Sequence, residues 1–136
     1  MKQIEIKAAI ENLIDTFLYA GKVSIELRKK GLIKEIKEDN TPVSNGDLEV
    51  NRILTEKINN LTPQIPIVSE ETSHNKSKKD LKNFWLIDPI DGTYDYINDL
   101  DEFTLNAGLI INNRAVAGII YAPVSYTHLT LPTIDR

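Results

Sequence analysis

The most informative stretch for the fold is Phe84-Trp85-Leu86-Ile87-Asp88-Pro89-Ile90-Asp91-Gly92-Thr93. Its first four residues form an unbroken apolar run, which predicts a buried strand that ends at Asp88. A carboxylate in that position projects at the edge of a sheet. Pro89 restricts the backbone so that Asp91 can return toward the same point. The stretch therefore predicts two carboxylates that lie close together at the end of a buried strand.

The residues after Asp91 extend this pattern. Gly92 permits a close backbone approach, and Thr93 is expected to begin a short helix through Ile97 whose N–H groups would face an anion. Hard oxygen ligands suit Mg²⁺, and Glu70 or Glu71, after another predicted strand, would supply a third carboxylate. Acids after strands also serve as turn formers and caps, so spacing alone leaves both a Mg²⁺–phosphate site and a structural role open.

The rest of the chain predicts an α+β fold in which helices precede most of the strands. Apolar residues at helical spacing predict one helix from Ile6 to Leu27, with a possible break near Gly21. A second helix is expected to begin after an N-cap at Ser44 and to end before Pro63. Further strands are predicted over residues 32–37, 66–69, 103–111 and 115–122, and a polar loop over 72–83.

Composition excludes several classes of protein. The chain has 136 residues, 16 Lys+Arg against 20 Asp+Glu, a net charge of -4 and no cysteine. This length favours one domain, and the acidic balance argues against a protein that binds a nucleic acid polymer. A cysteine nucleophile and thiolate metal sites are excluded, and no apolar run approaches the roughly 18 residues of a membrane span. We therefore expect a cytoplasmic protein without an integral membrane segment.

Several segments together resemble the inositol monophosphatase-like superfamily of Mg²⁺-dependent, Li⁺-sensitive phosphatases. The strand and acidic motif of residues 85–93 resemble its signature. Two further segments resemble motifs of this superfamily and occur in the same order along the chain. They are Lys37-Glu38-Asp39 with Thr41-Pro42-Val43-Ser44 and Asp47, and Pro66-Ile67-Val68-Ser69-Glu70-Glu71. Segments in the family's order are far more specific than one motif.

Within the superfamily, two later segments are most similar to the 3'(2'),5'-bisphosphate nucleotidase branch. They are Glu102-Phe103-Thr104-Leu105-Asn106 and Tyr121-Ala122-Pro123-Val124. The chain departs from the family pattern at two places: Asn45-Gly46 replaces a usual small pair, and Tyr94-Asp95-Tyr96 replaces a common Lys-Glu-Phe.

The resemblance implies a set of site residues and a cofactor. The implied Mg²⁺ ligands are Glu70, Asp88, Asp91 and the Ile90 carbonyl, around two or three ions. Asp47 and Thr93 would hold a water near the metals, and Glu70 with Thr93 would activate it. Gly92 and Thr93 would offer backbone N–H groups to the substrate phosphate.

The implied activity is hydrolysis of a small phosphate ester, 3'-phosphoadenosine 5'-phosphate, to AMP and phosphate. Two alternatives remain: an inositol-1-monophosphatase, and a non-catalytic metal-binding fragment. The implied fold is the N-terminal part of the sugar-phosphatase fold, with helices on a largely antiparallel sheet. Family members continue into a second half whose Trp-Asp-x-Ala-like segment completes the metal site, so we expect this chain to be truncated.

The C-terminal residues resemble no part of a phosphatase. The segment from Val124 to Thr133 matches an in-frame conceptual translation of a transposase-based sequencing adapter. We therefore expect residues 1–124 to be the N-terminal part of the phosphatase domain and residues 125–136 to be a non-native tail, to be excluded from fold reasoning.

Overall fold

The computed structural model describes residues 1–71, 81–124 and the backbone of 129–130. Most of the predicted polar loop and nearly all of the predicted tail lie outside the described residues. The elements are α1 (Gln3–Lys30), β1 (Lys34–Ile36), β2 (Pro42–Ser44), α2 (Asn45–Leu61), β3 (Ile67–Ser69), β4 (Phe84–Asp91), α3 (Thr93–Ile97), β5 (Thr104–Ile111), β6 (Arg114–Tyr121) and β7 (Leu129–Thr130).

The main sheet has the strand order β3-β4-β5-β6-β7. Strands β3 and β4 are parallel, and the other neighbouring pairs are antiparallel. A separate two-stranded sheet is formed by β1 and β2. The prediction of an α+β fold with a largely antiparallel sheet is therefore confirmed.

Helices α1 and α2 pack on each other and cover one face of the sheet. The core between these layers consists of fully buried apolar side chains, among them Leu13, Phe17, Leu54, Trp85, Leu109 and Ile119. Within it, Trp85 Nε1 donates a hydrogen bond of 2.9 Å to Thr62 Oγ1 at the end of α2. The indole N–H thus keeps a partner after burial, which ties α2 to β4.

The expected break near Gly21 is wrong, because α1 continues without interruption to Lys30. Gly21 is buried, and a Cβ at this position would lie 2.5 Å from Tyr121 Cε2 and 3.2 Å from Pro123 Cγ. A glycine in mid-helix therefore serves the close approach of α1 to the end of β6, and it does not mark a helix end. In the described part of the chain, no helix is long and apolar enough to cross a membrane.

Candidate functional site

A cavity of about 350 Å³ lies beside the end of β4. Its wall comes from the β1–β2 hairpin, the turn after β3, the end of β4 and the start of α3. The residues that line it are Lys37, Asp39, Thr41, Pro42, Glu70, Glu71, Asp88, Ile90, Asp91, Gly92, Thr93 and Tyr94. The structure thus brings six of the seven predicted site residues to one cavity, and the seventh, Asp47, lies behind it in contact with Thr93.

Strand β4 does not end at Asp88, as the sequence suggested, but continues to Asp91 through a β-bulge. Asp88 pairs with Asn106 and Asp91 with Thr104, so three steps along β4 oppose two along β5. In a regular strand, side chains three residues apart point to opposite faces. The extra residue resets this alternation, and both carboxylates line the same cavity. Pro89 lies within the bulge, where its missing N–H leaves no gap in the ladder.

Glu70 and Glu71 are placed by the parallel pairing of β3 with β4. Ser69 is in register with Ile87, and Glu70 N donates to Ile87 O at 3.2 Å. The Ser69 hydroxyl bonds to the Asn51 side chain on α2, and Glu71 N donates to Ser69 Oγ at 3.3 Å. Strand β3 therefore ends opposite Ile87, and Glu70 follows it beside the level of Asp88 on the neighbouring strand.

Asp47 is fully buried at the first turn of α2. Its Oδ2 accepts hydrogen bonds from Ser44 N at 2.8 Å and from Ser44 Oγ at 2.6 Å, which completes the predicted N-cap. Its Oδ1 accepts a hydrogen bond of 2.8 Å from Thr93 Oγ1. The Thr93 hydroxyl is also 3.1 Å from Ile90 O. A single buried carboxylate thus links the start of α2 to the start of α3.

Gly92 has a φ of +90°, in the left-handed region. A Cβ there would lie 2.9 Å from Glu102 O and 3.4 Å from Phe103 Cα. Only glycine combines this φ with that close approach. Gly92 therefore allows the chain to turn directly from the bulge of β4 into α3, which brings Thr93 to the cavity.

Lys37 and Glu71 form an ion pair that sequence reasoning missed as a unit. Lys37 Nζ lies 3.3 Å from Glu71 Oε1, and the Glu71 side chain is only 6% exposed. The signal was present, because both residues belong to segments that carry the family resemblance. Burial nevertheless raises the pKa of Glu71, and Lys37 opposes this shift only in part. Lys37 brings one positive charge to a cavity whose other charged lining residues are acidic.

Burial and neighbouring charges raise the pKa of Asp88 to about 6. Burial is the largest cause, followed by the negative charges of Asp91, Glu70, Glu71 and Asp47 in that order. A cation bound beside Asp88 would relieve both the cost of burying its charge and the repulsion from these neighbours.

The donor set fits Mg²⁺ by its chemistry, since carboxylates and a carbonyl are hard oxygen ligands. The side chains surround the cavity without meeting at one point: within residues 1–71 and 81–124, no three acidic or histidine side chains converge as ligands of one ion. Mutual repulsion favours this separation. Glu70 and Asp91 are exposed, so rotation of their side chains is the movement that would bring them onto an ion.

The raised pKa of Asp88 predicts how stability depends on pH. The folded environment disfavours the charged form of Asp88, so between about pH 6 and pH 3.8 the folded state binds more protons than the unfolded state. The free energy of unfolding should therefore rise as the pH falls from about 6 to the ordinary pKa of 3.8. One pKa unit corresponds to about 1.4 kcal/mol, and partial exposure of Asp88 reduces the expected gain to about 1 kcal/mol.

We expect this gain in metal-free thermal unfolding of the wild type, and we expect Asp88→Asn to remove it. At each pH from 7.5 to 4.5, the thermal midpoint of Asp88→Asn is subtracted from that of the wild type. This difference cancels the contributions of titratable groups that the two proteins share. Midpoints that run parallel across this range would contradict the assigned electrostatics.

A second cavity, of about 390 Å³, lies between α1 and α2 and contains none of the predicted site residues. Its charged groups are paired in part, since Arg52 forms ion pairs with Glu49 at 2.7 Å and with Glu56 at 3.2 Å. These are exposed helix-surface pairs, which contribute little to stability. Among the described residues, the predicted site residues are therefore gathered at the end of β4.

The structure is an α+β fold with an acidic cavity at the end of a strand, and comparison with known proteins assigns its family. The model of the inositol monophosphatase family matches residues 6–132, and the chain belongs to this family. The match runs past Val124, so it does not coincide with the predicted boundary of the tail, which stays a prediction.

A curated relative, the 3'(2'),5'-bisphosphate nucleotidase CysQ of Haemophilus influenzae, is 42% identical over 110 residues. The alignment covers 79% of this chain and 41% of the relative. The chain therefore spans about two fifths of the length of that protein.

Solved structures show the same fold. The extragenic suppressor protein suhB from Bartonella henselae superposes with a TM-score of 0.81 at 21% identity, over 93% of this chain and 49% of the other. An IMPase/NADP phosphatase complexed with Mg²⁺ and phosphate superposes with a TM-score of 0.77 at 20% identity, over 91% of this chain and 47% of the other. This chain corresponds to about half of each of these structures.

Proposed function

We propose that residues 1–124 are the N-terminal part of a Mg²⁺-dependent phosphomonoesterase that acts on 3'(2'),5'-bisphosphate nucleotides. The observation that carries this proposal is the single cavity lined by Glu70, Asp88, Asp91 and the Ile90 carbonyl, with Thr93 at its edge. Identity of 42% with a bisphosphate nucleotidase supports the substrate class.

The metal ligands in this proposal are the carboxylates of Glu70, Asp88 and Asp91 and the carbonyl of Ile90. Bound Mg²⁺ supplies positive charge that stabilises the phosphoryl oxygens and makes water a better nucleophile. A neighbour of this fold is known as a complex with Mg²⁺ and phosphate, which supports this choice of ion. Inhibition by Li⁺ is expected from the family resemblance.

Thr93 and Asp47 orient the attacking water in this proposal. Because Thr93 Oγ1 donates its proton to Asp47, with Ile90 O nearby, its lone pairs remain available to accept a hydrogen bond from water. Asp47 is held by both hydrogen bonds from Ser44, so it offers the Thr93 hydroxyl an acceptor at a fixed position. Glu70, exposed at the cavity, then accepts the proton that the water loses on attack.

The phosphate lies at the turn from β4 to α3 in this proposal, against the backbone N–H groups of Gly92 and Thr93. Lys37, on the facing hairpin, adds positive charge to the same cavity. Such positioning, together with charge stabilisation, accounts for most of the catalysis in phosphoryl transfer.

The same proposal assigns residues 125–136 to a non-native tail. Its support is the match of Val124 to Thr133 to adapter sequence. Activity assays of a completed domain therefore require a relative's C-terminal segment joined after Val124.

The test is phosphate release by a chimera, defined as residues 1–124 of this chain joined to the remaining C-terminal part of the Haemophilus influenzae relative. We expect Mg²⁺-dependent release from 3'-phosphoadenosine 5'-phosphate at a kcat/KM at least about tenfold above that for inositol-1-phosphate or fructose-1,6-bisphosphate. Added Li⁺ should inhibit the reaction. Preference for inositol-1-phosphate would make the chain part of an inositol-1-monophosphatase, and no release from any ester would refute the proposal.

A further inference from the structure

Tyr96 lies against Gly46, and its ring occupies the space that a side chain at position 46 would need. A Cβ at position 46 would lie 2.7 Å from Tyr96 Cε2 and Cζ and closer still to its hydroxyl oxygen. Any side chain at 46 would therefore displace the tyrosine ring. These two residues are also positions at which the sequence departs from the family pattern, and here the departures meet.

The hydroxyl of Tyr96 joins α3 to the C-terminal part of α1. Tyr96 is fully buried, and its Oη donates a hydrogen bond of 2.7 Å to Ser24 O. Burial raises the pKa of Tyr96, and the nearby charge of Asp47 adds to the shift, so the hydroxyl keeps its proton and stays a donor. The bond spans 72 residues of chain. A phenylalanine would fill the same core position without this connection.

The ring of Tyr96 is held on its other sides as well. Phe103 packs edge-on with ring centroids 4.9 Å apart, and the Arg28 guanidinium lies 5.7 Å from the Tyr96 centroid. Arg28 is itself fixed by the carboxylates of Asp99 at 3.3 Å and Asp101 at 3.1 Å. Little freedom remains for the ring to move.

Both partners of the Asp47–Thr93 hydrogen bond are adjacent to this contact. Asp47 follows Gly46 directly, and Thr93 precedes Tyr96 by three residues on the single-turn helix α3. The Tyr96 N–H also donates to Gly92 O at 2.9 Å, which fixes the start of α3 relative to the ring. A shift of the ring would therefore move Thr93 relative to Asp47.

From this geometry we infer that Tyr96, seated on Gly46 and bound to Ser24 O, is a positioning residue that holds the Thr93 hydroxyl against Asp47. The inference rests on the proposed function for its catalytic meaning, but not for its geometry. Tyr96 touches neither substrate nor metal in this role. It acts through Thr93.

The deciding experiment is NMR of the Thr93 side chain in the 136-residue chain, comparing wild type with Tyr96→Phe. Three-bond couplings from the Thr93 methyl carbon to the backbone report its χ1 rotamer. We expect a single rotamer in the wild type and averaged rotamers in Tyr96→Phe. The matched control is Thr62→Val, which removes another buried hydroxyl and its 2.9 Å hydrogen bond from Trp85 without touching the cavity.

Tyr96→Phe and Thr62→Val should both lower the thermal midpoint, but only Tyr96→Phe should change the Thr93 couplings. A further variant, Gly46→Ala, should also average the Thr93 rotamers, because its Cβ displaces the Tyr96 ring. A wild-type Thr93 that is already averaged, or couplings unchanged by Tyr96→Phe, would overturn the inference.

A separate measurement tests the proposed function. Inorganic phosphate is titrated into the chimera and its variants in excess Mg²⁺. We expect phosphate to bind the Tyr96→Phe chimera about fivefold more weakly than the parent chimera, a loss of the size of one buried hydrogen bond. The Thr62→Val chimera should bind phosphate as the parent does. If neither phosphate nor Mg²⁺ binds the wild-type chimera, the proposed function fails while the couplings still decide the positioning role. If phosphate binds all three chimeras equally, the position of Thr93 does not serve the phosphate site, and the catalytic meaning of the inference is overturned.

Discussion

Asp88→Asn is expected to reduce Mg²⁺-dependent phosphate release by the chimera at least about 10²-fold. Burial and, after it, the negative charges of neighbouring carboxylates raise the pKa of Asp88, so a divalent cation beside it would relieve both effects. Asparagine keeps the shape and one oxygen but removes the charge. The loss should appear mainly in kcat if the missing charge acts in the transition state.

The matched control for this variant is Asp95→Asn. Asp95 lies on α3, close in sequence, but it does not line the cavity. The same chemical change there should leave phosphate release within about twofold of the parent, as for surface substitutions generally. Calorimetric titration should show weaker Mg²⁺ binding only for Asp88→Asn. An Asp88→Asn chimera that keeps more than about a tenth of the activity would remove Asp88 from the metal ligands.

Local chemistry predicted most of the fold because the signals lay within single elements. Ser44 followed by Asp47 predicted an N-cap, and both hydrogen bonds of the capping box are present. Thr93 was expected to begin a helix through Ile97, and α3 has those bounds. Apolar runs also located β3, β4, β5 and β6 to within a few residues. In each case the deciding interactions join residues that are close in sequence.

The errors arose where distant segments decide the conformation. Gly21 lies in a continuous helix because Tyr121, one hundred residues later, packs against it. The bulge after Asp88 depends on the register of β4 against β5, which no local pattern encodes. Tyr96 was noted in the sequence only as a departure from a pattern, and its contact with Gly46 and Ser24 appears only in the folded chain.

The candidate site shows the same division. The strand-end acids were identified individually from the sequence, since the motif around Asp88 and Asp91 carries the family resemblance. Their common cavity depends on parallel pairing of β3 with β4, which places Glu70 beside the end of β4. The facing hairpin, with Lys37, closes the other side of the cavity. The sequence therefore predicted residues that line one cavity, and the fold determines the electrostatic environment around them.

The 136-residue chain is expected to release phosphate at least about 10²-fold more slowly than the chimera. The chain spans 41% of the length of the Haemophilus influenzae relative, and the family resemblance places the last acidic ligand in the part beyond it. In the proposed site, the three carboxylates and one carbonyl of this chain alone would hold an ion loosely. Charge that develops on the leaving oxygen then lacks a preorganised positive partner.

The comparison uses 3'-phosphoadenosine 5'-phosphate with excess Mg²⁺ and four proteins: the 136-residue chain, residues 1–124 alone, the chimera, and the chimera with Asp88→Asn. The two short chains should be equally slow, because the proposal assigns no ligand to residues 125–136. The substituted chimera should fall to their level, which separates a missing ligand from a general effect of length. Release by the 136-residue chain within about tenfold of the chimera would show that the cavity at the end of β4 already contains everything that hydrolysis requires.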